Sequence, residues 1–349
     1  MRNLYKTALV AVVAVLGFRM AATADAVTAT EVTPAVNKAG VFYYSLNDLF
    51  VNSLSAQIRS EAQAQELELA EYDAENDLLR QLSQVRNFLT VYRGQALMVN
   101  PVDAQNGEAV LRAARKANVP VIFFNRRPSQ GALDTYNKAW YVGSNPELSG
   151  LYQAQILTDY LENNINWDKN GNGKLDYLLI KGERNHADTQ GRSAAFREGM
   201  RAAGYELNAL DVAYADFSYA RAVRYLQNYL AGHDIGEIEA VVCNNDAMAL
   251  GIIDELQHRG YNEGDGSRYI PVVGIDATEK ALNAVKDGSM VGTVYNNAPA
   301  VARTVVRLTS LLTRGEEVNV KSLGMPVSGR QVMVPYVKVT LANVGSLRR

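Results

Sequence analysis

Glu239-Ala-Val-Val-Cys-Asn-Asn-Asp-Ala-Met-Ala-Leu-Gly251 sets an unbroken apolar run, 240–243, directly before two amides and a carboxylate, and an apolar spacing of three and four then continues to residue 259. Successive apolar residues without polar alternation fit a strand covered on both faces. The spacing that follows fits an amphipathic helix. The stretch therefore predicts one strand–helix unit of a parallel sheet. The same pattern recurs in both directions, with strands over 41–44, 96–99, 119–124, 177–180 and 271–275 and helices over 77–89, 107–117, 190–203 and 219–230. Such alternation defines the α/β class. A chain of 349 residues exceeds one ordinary core and points to two lobes. No Pro- or Ser-rich linker divides it, so the joints between lobes should be ordered hinges.

Apolar residues make up 48% of the chain and charged residues 21%, the balance of a packed globular protein. A net charge of −2 offers no basic field for nucleic acid or anionic lipid. A small neutral partner fits better. Residues 1–26 have a secretory signal layout: Arg2 and Lys6, an apolar run over 7–18, then Ala24-Asp25-Ala26. The competing readings are a buried helix or a retained anchor, but the 12-residue run is shorter than the roughly 20 needed to cross a bilayer. Export to the periplasm is expected. Cys243 is the only cysteine, so no intrachain disulfide can form.

In open α/β sheets ligands bind beyond the carboxyl ends of the strands. There the chain carries Asp48, Asn125, the run 186–192, Asn245 with Asp246, Asp276, and Asn296 with Asn297. One such residue is ordinarily a helix N-cap. Six clusters at successive strand ends call for more than capping.

Asp168-Lys-Asn170-Gly-Asn172-Gly-Lys174-Leu-Asp176 places oxygen side chains at alternate positions with glycine at the sixth, the spacing of an EF-hand calcium loop. Lys174 would offer only its carbonyl. The twelfth position, which should be a bidentate Glu, is Leu179, so the local loop is incomplete. Either it is a polar turn without metal, or a carboxylate from elsewhere in the chain completes a structural site.

Taken together these segments resemble the periplasmic galactose/glucose-binding protein family, which serves sugar ABC transporters and chemotaxis. The resemblance covers nearly the whole mature chain and rests on Pro120-Val-Ile-Phe-Phe-Asn125, Lys138-Ala-Trp-Tyr-Val-Gly143, Lys181-Gly-Glu-Arg-Asn-His-Ala-Asp188, Asn244-Asn-Asp-Ala-Met-Ala249, Val273-Gly-Ile-Asp276 and Gly292-Thr-Val-Tyr-Asn296. It implies a periplasmic binding protein of type I, with two Rossmann-like lobes of parallel sheet joined by three crossover segments. The implied first lobe is 36–144 plus 297–332, and the second 145–296 plus 333–349. The family's sugar-binding polar groups fall on Asp48, Asn125, His186, Asp188, Arg192, Asn245, Asp276 and Asn296, all present in type. Hydroxyls both donate and accept, so carboxylates, amides and a guanidinium can fix every proton of a pyranose.

The family also stacks the sugar between two rings. Phe50 matches the first. The second, a Trp in the family, falls on Phe217 when counted back from Asn245 and on Ala215 when counted forward from Leu210-Asp211. The first register is favoured because the stack needs a ring; in the other, Phe217 and Tyr214 pack elsewhere and half the stack is lost. Tyr214 is a further stacking candidate. For calcium, the resemblance implies Glu239 as the distant carboxylate completing Asp168, Asn170, Asn172, Lys174 and Asp176. Asn172 stands where the family has an acid and Asp176 where it has an amide, so three carboxylates are kept.

The implied mechanism is hinge closure of a monomer around D-glucose or D-galactose, read by an inner-membrane ABC permease and by a chemoreceptor. Asp48, Phe50, Asn125 and Asn296 would stand on the first lobe or the hinge border, and His186, Asp188, Arg192, Asn245 and Asp276 on the second. Other readings are a receptor for another monosaccharide, a cytoplasmic repressor, which would need a helix-turn-helix that residues 1–38 do not provide, and a glycoside hydrolase using paired carboxylates such as Asp48 with Asp276 or Asp188. With three histidines, a zinc enzyme is disfavoured. The expectation is a binding protein, not an enzyme.

Overall fold

The structure, a computed structural model, describes residues 38–93 and 95–347. The signal expected at 1–26 lies outside them. The first half of the chain forms β1 (Lys38–Tyr43), α1 (Leu49–Ala64), β2 (Glu68–Asp73), α2 (Leu78–Thr90), β3 (Ala96–Val99), α3 (Ala104–Ala117), β4 (Val121–Phe124), α4 (Gln130–Asp134) and β5 (Ala139–Gly143). Next come α5 (Pro146–Glu162), β6 (Lys174–Lys181), α6 (Ala187–Ala202), β7 (Glu206–Tyr214), α7 (Tyr219–Tyr229), β8 (Ala240–Cys243), α8 (Asp246–His258), β9 (Val272–Val273), α9 (Glu279–Asp287) and β10 (Gly292–Tyr295). The chain ends with α10 (Ala298–Thr313), α11 (Val320–Leu323), β11 (Val327–Ser328), β12 (Gln331–Met333) and β13 (Val337–Thr340).

These strands build two sheets, ordered β11-β12-β5-β4-β3-β1-β2 and β13-β10-β9-β8-β6-β7. Pairing is parallel except for β11 with β12 and β10 with β13. The chain passes between the sheets three times: after β5, after β10 and after β12. The α/β class with two mostly parallel sheets agrees with the sequence reading.

Each sheet is covered on both faces. Val41 and Tyr43 enter one core while Phe42 enters the opposite one, and Met98 faces away from Leu97 and Val99. In the second sheet Leu178 and Ile180 face one core, and Tyr177 and Leu179 the other. This two-residue alternation explains why the strands read as continuous apolar runs. A fully buried side chain of this size stabilises by about 1.5–3 kcal/mol.

The expected strands 119–124 and 271–275 are shorter in fact. Residue 120 is a proline, and the ladder begins at Val121. Gly274 ends β9, and a Cβ there would collide with the Asp246 carboxylate, so the backbone has drawn in against that side chain.

Candidate ligand-binding cleft

Asp48, His186 and Asn245 each cap the helix that follows and also border the space between the lobes. Asp48 caps α1, its Oδ1 accepting from the Val51 N–H at 2.9 Å, while Oδ2 accepts from the Tyr44 hydroxyl at 2.6 Å. Asn245 caps α8 through Oδ1, accepting from the Met248 N–H at 3.0 Å, and turns its Nδ2 to the Phe217 carbonyl at 3.3 Å. His186 caps α6 with Nδ1 accepting from the Asp188 N–H at 3.0 Å. Capping thus fixes each head at the end of a strand, where the other lone pairs and protons face the space between the sheets.

Nine of the ten side chains assigned to the site line one small cavity between the lobes: Asp48, Phe50, Asn125, His186, Asp188, Arg192, Phe217, Asn245 and Asp276. Asn296, the tenth, lines an adjoining space with Phe50, Asn125 and Asp188. It donates to Asp276 Oδ1 at 3.3 Å, and both side chains are buried. Asp276 holds a φ of +121°, a region that side-chain-bearing residues rarely adopt, and Asn125 one of +59°. Strain of this kind concentrates where geometry must be imposed.

Arg192 is the central cation, 4% exposed on α6. Nη1 donates to the Asn244 carbonyl at 2.7 Å, and Nη2 to Asp188 Oδ2 at 3.0 Å and to the Tyr336 hydroxyl at 3.4 Å. Its Nε is buried without a partner. Burial pushes the Asp188 carboxyl up, with Arg192 and Arg126 pulling it back. Burial likewise pushes Asp276 well up, opposed by Arg192 and reinforced by the charges of Asp246 and Asp48. Burial, then the charges of Arg126 and Arg192, holds His186 well below the ordinary imidazole range. The ring is therefore neutral, its proton on Nε2 because Nδ1 accepts, and its 4.0 Å approach to Asp188 is not an ion pair.

Phe217 is the aromatic residue of the 214–217 stretch that lines the cavity. It stands edge-on to His186 at 5.3 Å and presses on Gly182, where any Cβ would collide with it. Ala215 is buried in the core of the second lobe with Ala222 and Leu226. Tyr214 does not reach the cavity, correcting its candidacy as a stacking ring: its hydroxyl meets Lys181 at 3.3 Å, and Arg184 lies over its face at 4.1 Å.

Sequence reasoning missed Tyr44 and Arg126, which line the same cavity, and Tyr141 and Tyr336, which line the adjoining one. Arg126 directly follows Asn125 in a segment already singled out, so its place beside the strand end was the available signal. Tyr336 lies on the third crossover, which has no apolar period to mark it.

The loop at 168–176 gathers oxygen donors. Asp176 and Glu239 are each 2% exposed, and neither forms an ion pair among the described residues. Glu239 accepts from the N–H groups of Lys169 at 2.6 Å and Asp176 at 2.8 Å. Asp176 takes amide protons from Asn170 at 2.6 Å, Asn172 at 2.8 Å and Asn208. Burial, with the nearby charges of Asp176 and Asp168, raises the Glu239 carboxyl. Among the described residues no three acidic or imidazole side chains converge on one point. The donor chemistry nevertheless fits a hard cation: buried carboxylates in no direct ion pair among the described residues, and amides whose rotation would present oxygen.

Residues 39–317 match the family model described as "Periplasmic binding protein domain". The D-galactose/methyl-galactoside binding periplasmic protein MglB of Haemophilus influenzae is 30% identical over 313 residues, covering 89% of this chain and 92% of that protein. The ribose import binding protein RbsB of Escherichia coli is 27% identical, covering 79% and 85%. A solved ABC transporter solute binding protein from Bacillus halodurans with bound myo-inositol superposes with a TM-score of 0.73 at 28% identity, covering 89% and 96%. With the two-lobed sheet order and the polar cleft between the lobes, these matches show that the chain belongs to the periplasmic binding protein family and is a solute-binding protein, not an enzyme.

Proposed function

We propose that the chain captures one neutral hexose, D-glucose or D-galactose, in the periplasm by closing its lobes, and presents it to an inner-membrane ABC permease and to a chemoreceptor. The observation that carries this reading is the cavity in which Asp48, Asp188 and Asp276, the amides of Asn125 and Asn245, the Arg192 guanidinium and the rings of Phe50 and Phe217 meet. The carboxylates accept from sugar hydroxyls, Arg192 and neutral His186 donate to their oxygens, and the rings cover the apolar C–H faces. Three carboxylates against two guanidinium groups leave the cavity close to balanced, which favours an uncharged polyol over an anion. The open lobes would offer half of these contacts each, so closure is driven by those that only the shut form makes.

Phe217 in place of an indole favours a second reading, a smaller or differently substituted ring such as another monosaccharide or a cyclitol; the Bacillus relative carries myo-inositol. Isothermal titration of the chain, stripped of carried-over ligand, against D-glucose, D-galactose, D-ribose and myo-inositol tests both. One-to-one binding of a hexose supports the first, tighter binding of inositol or ribose replaces it with the second, and no heat with any refutes both.

Asp168, Asn170, Asn172, the Lys174 carbonyl, Asp176 and Glu239 would hold a calcium ion. It would give two buried carboxylates a direct cationic partner, tying β6 to the approach to β8. The role is structural.

A further inference from the structure

We propose that Arg126 and Glu183 form a clasp across the mouth of the cleft that sets how long the lobes stay shut, an inference that rests on the binding function above. Arg126 follows β4 in the first lobe, and Glu183 follows β6 in the second. Their Nη2 and Oε1 are 2.8 Å apart, the one ion pair among the described residues that joins the lobes.

The guanidinium is 5% exposed and lies 3.6 Å from the centre of the Tyr44 ring. Its Nη1 donates to the Val102 carbonyl at 2.5 Å, while Nε is buried without a partner. Its other hydrogen bond and its ring contact, to Val102 and Tyr44, belong to the first lobe. When the lobes part, the cation therefore keeps one carbonyl, one ring face and the more distant charge of Asp48 but loses its one direct ion pair, which closure restores. The same ring donates its hydroxyl to Asp48 Oδ2, so the clasp also bears on a carboxylate of the site.

Position supports the role. Two wide cavities of about 970 and 590 Å³ are both bordered by Asn76 and Glu183. The small cavity that holds the site is bordered by Arg126 and Tyr44. Arg126 thus borders both the site and the second of the wide cavities, and Glu183 borders both wide cavities.

A contact made only in the shut form acts on release more than on capture. The test is stopped-flow kinetics with D-galactose on the full chain carrying Glu183→Gln. About tenfold faster release with association within about twofold is expected, less than for a fully buried pair because Glu183 is 30% exposed. Release from the unaltered chain should quicken with salt, and release from the variant should not. A merely structural role would lower the sugar-free unfolding temperature and leave that salt response intact. Unaltered release in Glu183→Gln, with sugar still bound, overturns the clasp and leaves the binding function standing. If the unaltered chain binds no sugar, the binding function fails and the clasp is read from sugar-free X-ray scattering. A larger radius of gyration in Glu183→Gln supports it, and identical curves overturn it.

Discussion

Replacing Arg192 by methionine keeps most of an apolar stem in a packed position while removing all the donors at once. The wild-type guanidinium satisfies the Asn244 carbonyl, Asp188 and Tyr336 at the distances given above. Stripping one partner from a buried ion pair costs about 3–5 kcal/mol. Burial already pushes Asp188 up and loss of Arg192 would push it further, so its charged form is disfavoured, which points to the lower end of that range. About 3 kcal/mol corresponds to roughly a hundredfold weaker sugar binding. The pH response has a definite sign. Arg192 holds down the carboxyls of both Asp188 and Asp276; in the variant both rise, so each loses its acceptor form as pH falls. The deficit against wild type should therefore widen from pH 8 to pH 6. Calorimetric titration with D-galactose at both pH values checks this, with thermal unfolding as a control for folding. A folded variant within about threefold of wild type at both pH values would refute the place given to Arg192.

Phe217→Ala should weaken binding by about 10- to 100-fold, the worth of about 1.5–3 kcal/mol for one covered ring, as read by the same titration. Ala215→Trp should give no gain in affinity and lower stability by about 1–3 kcal/mol, because that site is packed core, not cavity wall; tighter sugar binding would favour the other register. Asp246, pushed up to about 7 by burial, binds its proton more tightly folded than unfolded, so its contribution to stability is lost as pH rises from about 4 to about 7. Urea unfolding of sugar-free protein across that range should show the decline, and Asp246→Asn should make it shallower. Calcium should raise the unfolding temperature of the wild type and not of Glu239→Gln, through linkage to the folded state; equal increments in both would remove the metal site.

The strands buried on both faces were legible because each is a continuous apolar run, as at 96–99 and 240–243. The edge strands β2 and β7 were not, since exposed positions along them carry Glu and Asn and break the run. The polar groups of the cleft were legible through their place after strands, where capping and ligand recognition draw on the same residue types. Tyr44 and Arg126 were not, because what brings them into the cleft is a contact across the lobes and a ring face, neither of which has a sequence period. The register at the second ring was open for a related reason: both counts are consistent with β7, and the outcome turns on φ values of +50° at Asp216 and +58° at Phe217, which carry the ring past Ala215 and over Gly182.

The central claim, capture of a hexose by closure, is tested most directly by small-angle X-ray scattering of the ligand-stripped chain during titration with D-galactose and D-glucose. A radius of gyration that falls saturably with at least one of them, at one sugar per chain, is the predicted result. Superimposable curves at saturating concentrations of both would contradict it.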